Sequence, residues 1–220
     1  MKLTGAIIYL SSNKENPEFE KRLRDNILKH RRGLPIFSVT QKPIDFGENY
    51  CVGDVGASGF NFCRQLQLAL KHAYSDYVIQ CESDCLYPPD YFTFVPPKEH
   101  TVYRNTNICI LPYKKNYFHY KSSSTFAQVA GREYLLARLN HLLDGQPMWS
   151  TEMKNFPKEI GKPFLEGWEE FTTRYPAISF KTGDGMRKHS ASGSTKYDEL
   201  PYWGSAKLIR KLYLNEELDE

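Results

Sequence analysis

Between Gly5 and Glu82 three short apolar runs alternate with two stretches of helical spacing, and this alternation limits the fold more than any other feature. Ala6 to Leu10 is continuously apolar and ends in Ser-Ser, as a strand buried on both faces does. In the following ENPEFEKRLRDNILKHRRG, Phe19, Leu23, Ile27 and Leu28 recur at helical spacing and Gly33 closes the segment. LPIFSVTQ is a second strand, ended by Lys42-Pro43. DFGENYCVGDVGASG is rich in glycine and reads as turns. Beyond it, Phe62, Leu66, Ala69, Leu70 and Ala73 share one helix face, and YVIQCE is a third strand. This β-α-β-α-β order predicts an α/β domain with a parallel, Rossmann-like central sheet.

Past Pro97 the rhythm changes. HTVYRNTNICILPY reads as a strand of β-branched and aromatic residues. FAQVAGREYLLARLNHLLDG combines a short strand with an amphipathic helix ending at Gly145, and PAISF is a late strand before a polar Gly/Ser-rich loop. The tail KLIRKLYLNEELDE reads as a helix. No repeat or linker divides the chain, so residues 1–220 are expected to form a single domain. Residues 1–97 and 98–220 would be its two functional halves.

Charge follows the same division. Residues 40–97 carry three Lys/Arg against seven Asp/Glu, whereas 98–138 carry seven against two and 181–211 seven against three. The later blocks are the ones that can meet a polyanion. Five cysteines, at 51, 63, 81, 85 and 109, include no CxxC pair and leave one odd. That pattern fits a reducing cytoplasm rather than a disulfide framework. The only early apolar run is six residues, Gly5 to Leu10, too short for a secretory signal or a membrane span.

The third strand runs into Glu82-Ser83-Asp84 and then Leu-Tyr-Pro-Pro. Paired carboxylates on a tight turn after a buried strand suit a hard cation, Mn2+ or Mg2+, whose remaining ligands are phosphate oxygens. A lone acidic turn can equally be plain turn chemistry. The placement at the carboxyl end of a strand, where open α/β sheets bind ligands, favours function.

From IFSVTQ through DCLYPPDYF the chain resembles glycosyltransferases of the GT-A fold, specifically family-2-like enzymes of the compact type met in bacteriophage and other viral genomes. The residues that carry the resemblance are Gly53, Gly56, Ser58, Arg64, Gln65, Ala73, Tyr77, Val78, Glu82, Asp84, Leu86, Tyr87, Pro88 and Pro89. Ser83 stands where an acid is usual. The resemblance implies a metal-dependent hexosyl- or pentosyltransferase that uses a nucleotide-sugar, with UDP as the expected nucleotide. It implies Asp84 as metal ligand and Glu82 facing the donor's ribose or sugar. Tyr9, Ser11 and Ser12 would hold the nucleobase, and Arg64 the uracil or pyrophosphate. In the late loop His189 would be a second metal ligand, with Arg187 and Lys188 beside the leaving diphosphate. If the reaction inverts the sugar, a carboxylate must take the acceptor's proton. FLEGWEEF offers Glu166, Glu169 and Glu170, with Trp168 as a ring platform. Read singly, each of these acids also fits a solvated helix start.

The stretch YKKNYFHYKSSS interleaves Lys114, Lys115 and Lys121 with Tyr117 and Phe118. Cations for phosphates beside rings for bases are what nucleic-acid binders use. Together with the viral resemblance, this makes a 5-hydroxymethylpyrimidine in phage DNA the expected acceptor, modified in the bacterial host's cytoplasm. The alternatives are a surface glycan or protein acceptor, a binding module without turnover, and a nucleotidyltransferase on a similar sheet. The last would need a glycine-rich triphosphate loop after the first strand, and LSSNKENPE contains no glycine.

Overall fold

The computed structural model describes residues 3–152, 166–183 and 195–215. The chain starts with β1 (Gly5–Ser11), α1 (Pro17–His30), β2 (Ile36–Thr40), β3 (Glu48–Cys51), α2 (Gly59–His72) and β4 (Tyr77–Glu82). The expected alternation is therefore present, with one strand added. Sequence reading placed only turns around β3, because ENYC has no buried face to give it a period. β3 forms the sheet edge with its residues exposed or half-buried. Both helices begin on side-chain caps. Asn16 accepts from the amides of Glu18 and Phe19 before Pro17 opens α1, and Ser58 accepts from the Asn61 amide at α2. Phe19, Leu23 and Ile27 are buried as expected, whereas Leu28 is 47% exposed. On α2 the fully buried ring is Phe60, with Phe62 only partly covered.

After β4 come β5 (Cys85–Leu86), a 3-10 turn (Pro89–Thr93), β6 (Val102–Asn105), β7 (Ile108–Leu111), β8 (Phe118–Lys121), β9 (Gln128–Gly131) and α3 (Arg132–Leu143). Then follow β10 (Trp168–Phe171), β11 (Ala177–Phe180), β12 (Lys196–Tyr197), β13 (Glu199–Leu200), β14 (Gly204–Ser205) and α4 (Ala206–Ile209), continued as a π-helix over Arg210–Leu214. HTVYRNTNICILPY, read as one strand, is two. Asn105 breaks it by accepting from the amides of Asn107 and Thr173, so β6 and β7 enter different sheets.

The main sheet has seven strands in the order β10-β6-β9-β4-β1-β2-β3. All run the same way except β9, which is antiparallel to both neighbours. Ala6, Ile8, Leu10 and Val78 face α2 and α3 in one core layer. On the other side, Ile7, Tyr9, Ile79 and Cys81 meet Ile108, Ile110 and Ala177 of a second, five-stranded sheet, ordered β12-β8-β7-β11-β5. Phe19 and Leu23 of α1 close the outer face of that second sheet together with Trp203 and Ile209.

Two features of this fold place the site. The chain builds β2 and β3 on one side of β1 and then crosses to place β4 on the other, with Glu82 level with Leu10. The crevice between β1 and β4 is thus a topological switch point, where open parallel sheets bind their ligands. The second feature is β11, which pairs with β5 so that Ser179 faces Cys85 and carries the late part of the chain to this crevice.

Candidate active site

β4 delivers Glu82 to the rim, and the chain turns through Ser83 and Asp84 into β5. The Ser83 amide donates to the Leu10 carbonyl (3.2 Å) and the Phe180 amide to the Asp84 carbonyl (2.8 Å). The Glu82 amide donates to the Tyr87 hydroxyl (2.9 Å), which donates onward to the Phe126 carbonyl (2.8 Å). Tyr87 is fully buried and stacked on Tyr91. The Leu-Tyr-Pro-Pro run after the acids therefore forms the support beneath the turn.

On the other face of β4, Gln80 donates to Glu82 Oε1 (3.0 Å) and to the Thr125 carbonyl (2.8 Å). Gln128 of β9 donates to Gln80 Oε1 (2.8 Å). Glu82 is thus the end of a buried amide relay that fixes its orientation. Burial and the Asp84 charge push its carboxyl well above the ordinary range, against the pull of Lys181. The Cys85 thiol, driven far up by burial and then by the two carboxylates, stays protonated and donates to Asp84 Oδ1 (3.2 Å). Lys181 follows β11, and its ammonium lies 3.5 Å from Asp84 Oδ2 and 2.9 Å from Ser179 Oγ. Burial works against that charge, but Asp84 and then Glu82 outweigh it and hold the Lys181 pKa above the ordinary value.

Glu82, Asp84 and Cys85 offer ligand atoms within 4.8 Å of one another. The carboxylates qualify as ligands for a hard divalent ion, whereas the soft sulfur of Cys85 is a poor ligand for Mn2+ or Mg2+. One Asp84 oxygen accepts from that thiol, and the other faces the Lys181 ammonium, so both are already engaged. As arranged, the set does not fit a divalent ion. Of the further groups expected there, Arg187, Lys188 and His189 lie outside the described residues.

At the end of β1 the Ser11 hydroxyl donates to Glu20 Oε1 (2.9 Å) and accepts from the Asn13 amide (2.8 Å). Asn13, held at φ +51°, accepts from the amides of Gln41 and Lys42, both at 2.8 Å. Gln65 of α2 donates to the carbonyls of Ser11 (3.0 Å) and Val39 (3.1 Å). The loops after β1 and β2 are therefore one braced unit. Glu20 is buried beneath it, and burial drives its carboxyl up to about 7, although the Ser11 bond and Arg24 oppose the shift. Ser12 is half-buried in the same unit.

Several expected ligand contacts are instead structural. Tyr9 is fully buried, with its ring edge-on to Phe46, and so cannot face a nucleobase. Ser11 is spent on Glu20. The Arg64 guanidinium turns away from the crevice and donates to the carbonyls of Leu143, Gln146 and Pro147 and to Gln67 Oε1. Ser58 and Asn61 bind the same connection at Ser150. A Cβ on Gly56, at φ +80°, would stand 2.5 Å from Thr151 Cγ2. The Gly53–Gln65 pattern thus clamps residues 143–151 onto α2, and only Gln65 reaches the crevice.

The FLEGWEEF acids are not beside the carboxylates. Glu169 and Glu170 sit on β10, three strand spacings from β4, about 14 Å. Glu169 pairs with Lys98 (2.7 Å), Glu170 is exposed, and the Glu166 carbonyl accepts from Arg138. Trp168 lies under the Arg104 guanidinium at 5.1 Å. In the basic stretch, Phe118 is fully buried in the core under the second sheet, which corrects its expected role as a stacking platform. Lys114 and Lys115 are exposed at the tip of the β7–β8 hairpin. Tyr117 is half-buried beneath the Lys196 ammonium, 4.7 Å from its ring. Lys121, exposed at the other end of β8, lowers the Glu82 pKa and so lies within electrostatic reach of the crevice.

Sequence reading missed Lys181, Gln80, Gln128 and Glu20. Gln80 had a signal, as the one polar side chain inside an apolar strand. Lys181 had a weaker one, a charge directly after AISF in the way Glu82 follows its own strand.

No sequence-family profile matches the chain, and no curated protein matches it in sequence. Solved structures do resemble it. The inositol-1-phosphate CTP transferase from T. maritima aligns with 86% of this chain and 92% of its own at 11% identity and TM-score 0.51. The mannosyltransferase PcManGT from Pyrobaculum calidifontis, solved with GDP-Man and Mn2+, aligns with 81% of this chain at 16% identity and TM-score 0.46. TarS 1-349 of S. aureus aligns with 82% at 13% identity and TM-score 0.47. With the CTP transferase the chain shares its fold, a mixed α/β one with a mostly parallel central sheet. The chain spans 57% of the mannosyltransferase and 61% of the TarS chain. No helix among the described residues is long and apolar enough to cross a membrane.

Proposed function

We propose that the protein is a glycosyltransferase that moves a sugar from a nucleoside-diphosphate sugar to an acceptor hydroxyl. The observation that carries this reading is the Glu82-Ser83-Asp84 turn at the β1/β4 switch point, facing a buried ammonium. The braced loops after β1 and β2 receive the nucleobase of a UDP-sugar, with Ser12 and the backbone of Asn13 at its edge. The diphosphate lies toward Asp84 and the positive charge beside it. The sugar lies toward Glu82, whose Gln80 relay holds one carboxylate oxygen and leaves the other for a hydroxyl. In the reaction the acceptor oxygen bonds to the anomeric carbon as the bond to the β-phosphate oxygen breaks. The electron pair stays on the diphosphate, which gains negative charge, and the hydroxyl proton passes to a base. Positive charge fixed at the diphosphate lowers that barrier because it acts where charge develops.

For the acceptor we propose a 5-hydroxymethylpyrimidine in DNA. The support is the exposed lysines Lys114, Lys115, Lys121 and Lys196 along β8 and β12, with Lys121 on the Glu82 side. A nucleotidyltransferase is disfavoured by the loop after β1. Ser12 to Asn16 contains no glycine and leads straight into Pro17, so it offers no backbone cradle for a triphosphate.

The test is to incubate the protein with a panel of nucleotide-sugars and hydroxymethylcytosine DNA, then digest the DNA and weigh the nucleosides. A hexose or pentose mass increment is the expected result. Donor hydrolysis without DNA modification would move the acceptor to a glycan or protein. Nucleotide release from triphosphates alone would replace the reading with nucleotidyl transfer.

A further inference from the structure

We propose that the ammonium of Lys181 is a resident cation of the donor site, so that a nucleoside diphosphate binds there without a divalent metal. The inference rests on the glycosyltransferase reading above and assigns the charge that reading requires. Lys181 is fixed from both sides. Its backbone amide donates to the Leu111 carbonyl (2.9 Å), and the residue before it donates to Asp84 (2.8 Å). The β11–β5 pair locks this register. The side chain is only 16% exposed, so it cannot extend into open solvent as a surface lysine does.

An ammonium has three donors. One reaches Ser179 Oγ and a second faces Asp84 Oδ2. Among the described residues nothing takes the third, which can meet a phosphate oxygen entering over the turn. Asp84 faces this cation, and Glu82 and Cys85 lie beside Asp84, which explains an acidic turn that need not bind metal. The carboxylates hold Lys181 charged in a buried place, and Lys181 in turn keeps them from repelling a diphosphate. A metal ion on Asp84 would stand next to the ammonium with twice the repulsion of two unit charges. It would have to expel Lys181 from a position that the backbone fixes.

The test is calorimetry of UDP, GDP, CDP and ADP on the full chain, in EDTA and in Mn2+. The wild type should bind its preferred diphosphate in EDTA within about threefold of its affinity in Mn2+. Lys181→Met should weaken binding in EDTA by about tenfold or more, as loss of a charge-assisted contact to phosphate implies. Lys181→Arg keeps the charge and should retain it. Mn2+ titration followed by electron paramagnetic resonance, without nucleotide, gives an independent readout. The wild type should bind Mn2+ weakly, and Lys181→Met should bind it better because Asp84 and Glu82 lose their counter-charge. Wild-type binding that appears only with Mn2+, or tight Mn2+ binding that Lys181→Met does not change, would overturn the resident-cation role and leave the transferase reading standing. Failure of all four diphosphates in both conditions would overturn the transferase reading itself, and this inference with it.

Discussion

Arg64 separates two accounts of the same motif. Sequence resemblance assigns it to the donor, whereas the structure spends its guanidinium on three backbone carbonyls and Gln67. Arg64→Ala would leave the carbonyls of Leu143, Gln146 and Pro147 without that donor. The Leu143 contact is buried, and a charged hydrogen bond there is worth about 2 kcal/mol. The Gln146 and Pro147 contacts are partly open to water, which can replace the lost donor, so about 0.5–1 kcal/mol each is the fitting magnitude. The total loss is about 3 kcal/mol. For a domain of this size each kcal/mol lowers Tm by about 2–4 °C, so Tm should fall by about 6–12 °C. Arg64→Lys keeps the charge but not the fork, and should lose about half as much. The assay is thermal unfolding of each variant, with UDP affinity measured at a temperature where the variant is still folded. Affinity should stay within about twofold of wild type, because no Arg64 contact reaches the crevice. An unchanged Tm combined with a tenfold loss of UDP affinity would refute the clamp and restore the donor role.

Tyr87→Phe removes the hydroxyl that joins the Glu82 amide to the Phe126 carbonyl, leaving two buried backbone groups unpaired. Urea unfolding should show a loss of about 2–3 kcal/mol, and a loss below 0.5 kcal/mol would mean that the turn has another support. The Glu20 carboxyl, raised to about 7 in the fold, binds its proton more tightly there than in the unfolded chain. Its contribution, about 3 kcal/mol, is therefore full below the ordinary carboxylate pKa of about 4.5 and is lost as pH rises through about 7. Glu20→Gln should flatten stability between pH 5 and 8, and an unaltered slope in urea titrations would show that Glu20 is not its source. Lys121→Ala should reduce the salt dependence of DNA affinity by about 0.9 in log-log slope, as should each alanine at Lys114 or Lys115. Only Lys121→Ala should also slow turnover, and equal kinetic effects at all three would remove its link to Glu82.

The first half of the fold was legible because its elements bury one stripe or both faces. Ala6 to Leu10 is apolar throughout, YVIQCE is mostly so, and α2 shows its 3.6-residue period through Leu66, Ala69, Leu70 and Ala73. β3 was not legible, since an edge strand with no buried face has no pattern to read. The second sheet was not legible either. Its β5 and β12 are two residues each, as are β13 and β14 of a separate two-stranded sheet, below the length at which alternation appears. Misreadings at the site have a different cause. A motif records that residues occur together and does not say which way they point. Arg64 and Gln65 are adjacent on one helix, yet one clamps a distant loop and the other braces the ends of β1 and β2. Phe118 lies among lysines in sequence, but alternation along β8 sends it inward.

Glu82-Ser83-Asp84 stood out in the sequence because its acids are adjacent, whereas the cation that answers them is about a hundred residues away and follows an unremarkable strand. Only strand pairing joins them. β11 is parallel to β7 and antiparallel to β5, so its end must pass the turn in which β4 becomes β5. The charge is set by the same pairing, because a buried ammonium without these acids would lose its proton or leave the core. Ser83, which replaces the usual middle acid, fits this balance. A third carboxylate in the turn would have increased the repulsion that already raises Glu82 against the pull of Lys181 and Lys121. Ser83 in the turn and the lysine at the end of β11 are thus two parts of one electrostatic arrangement.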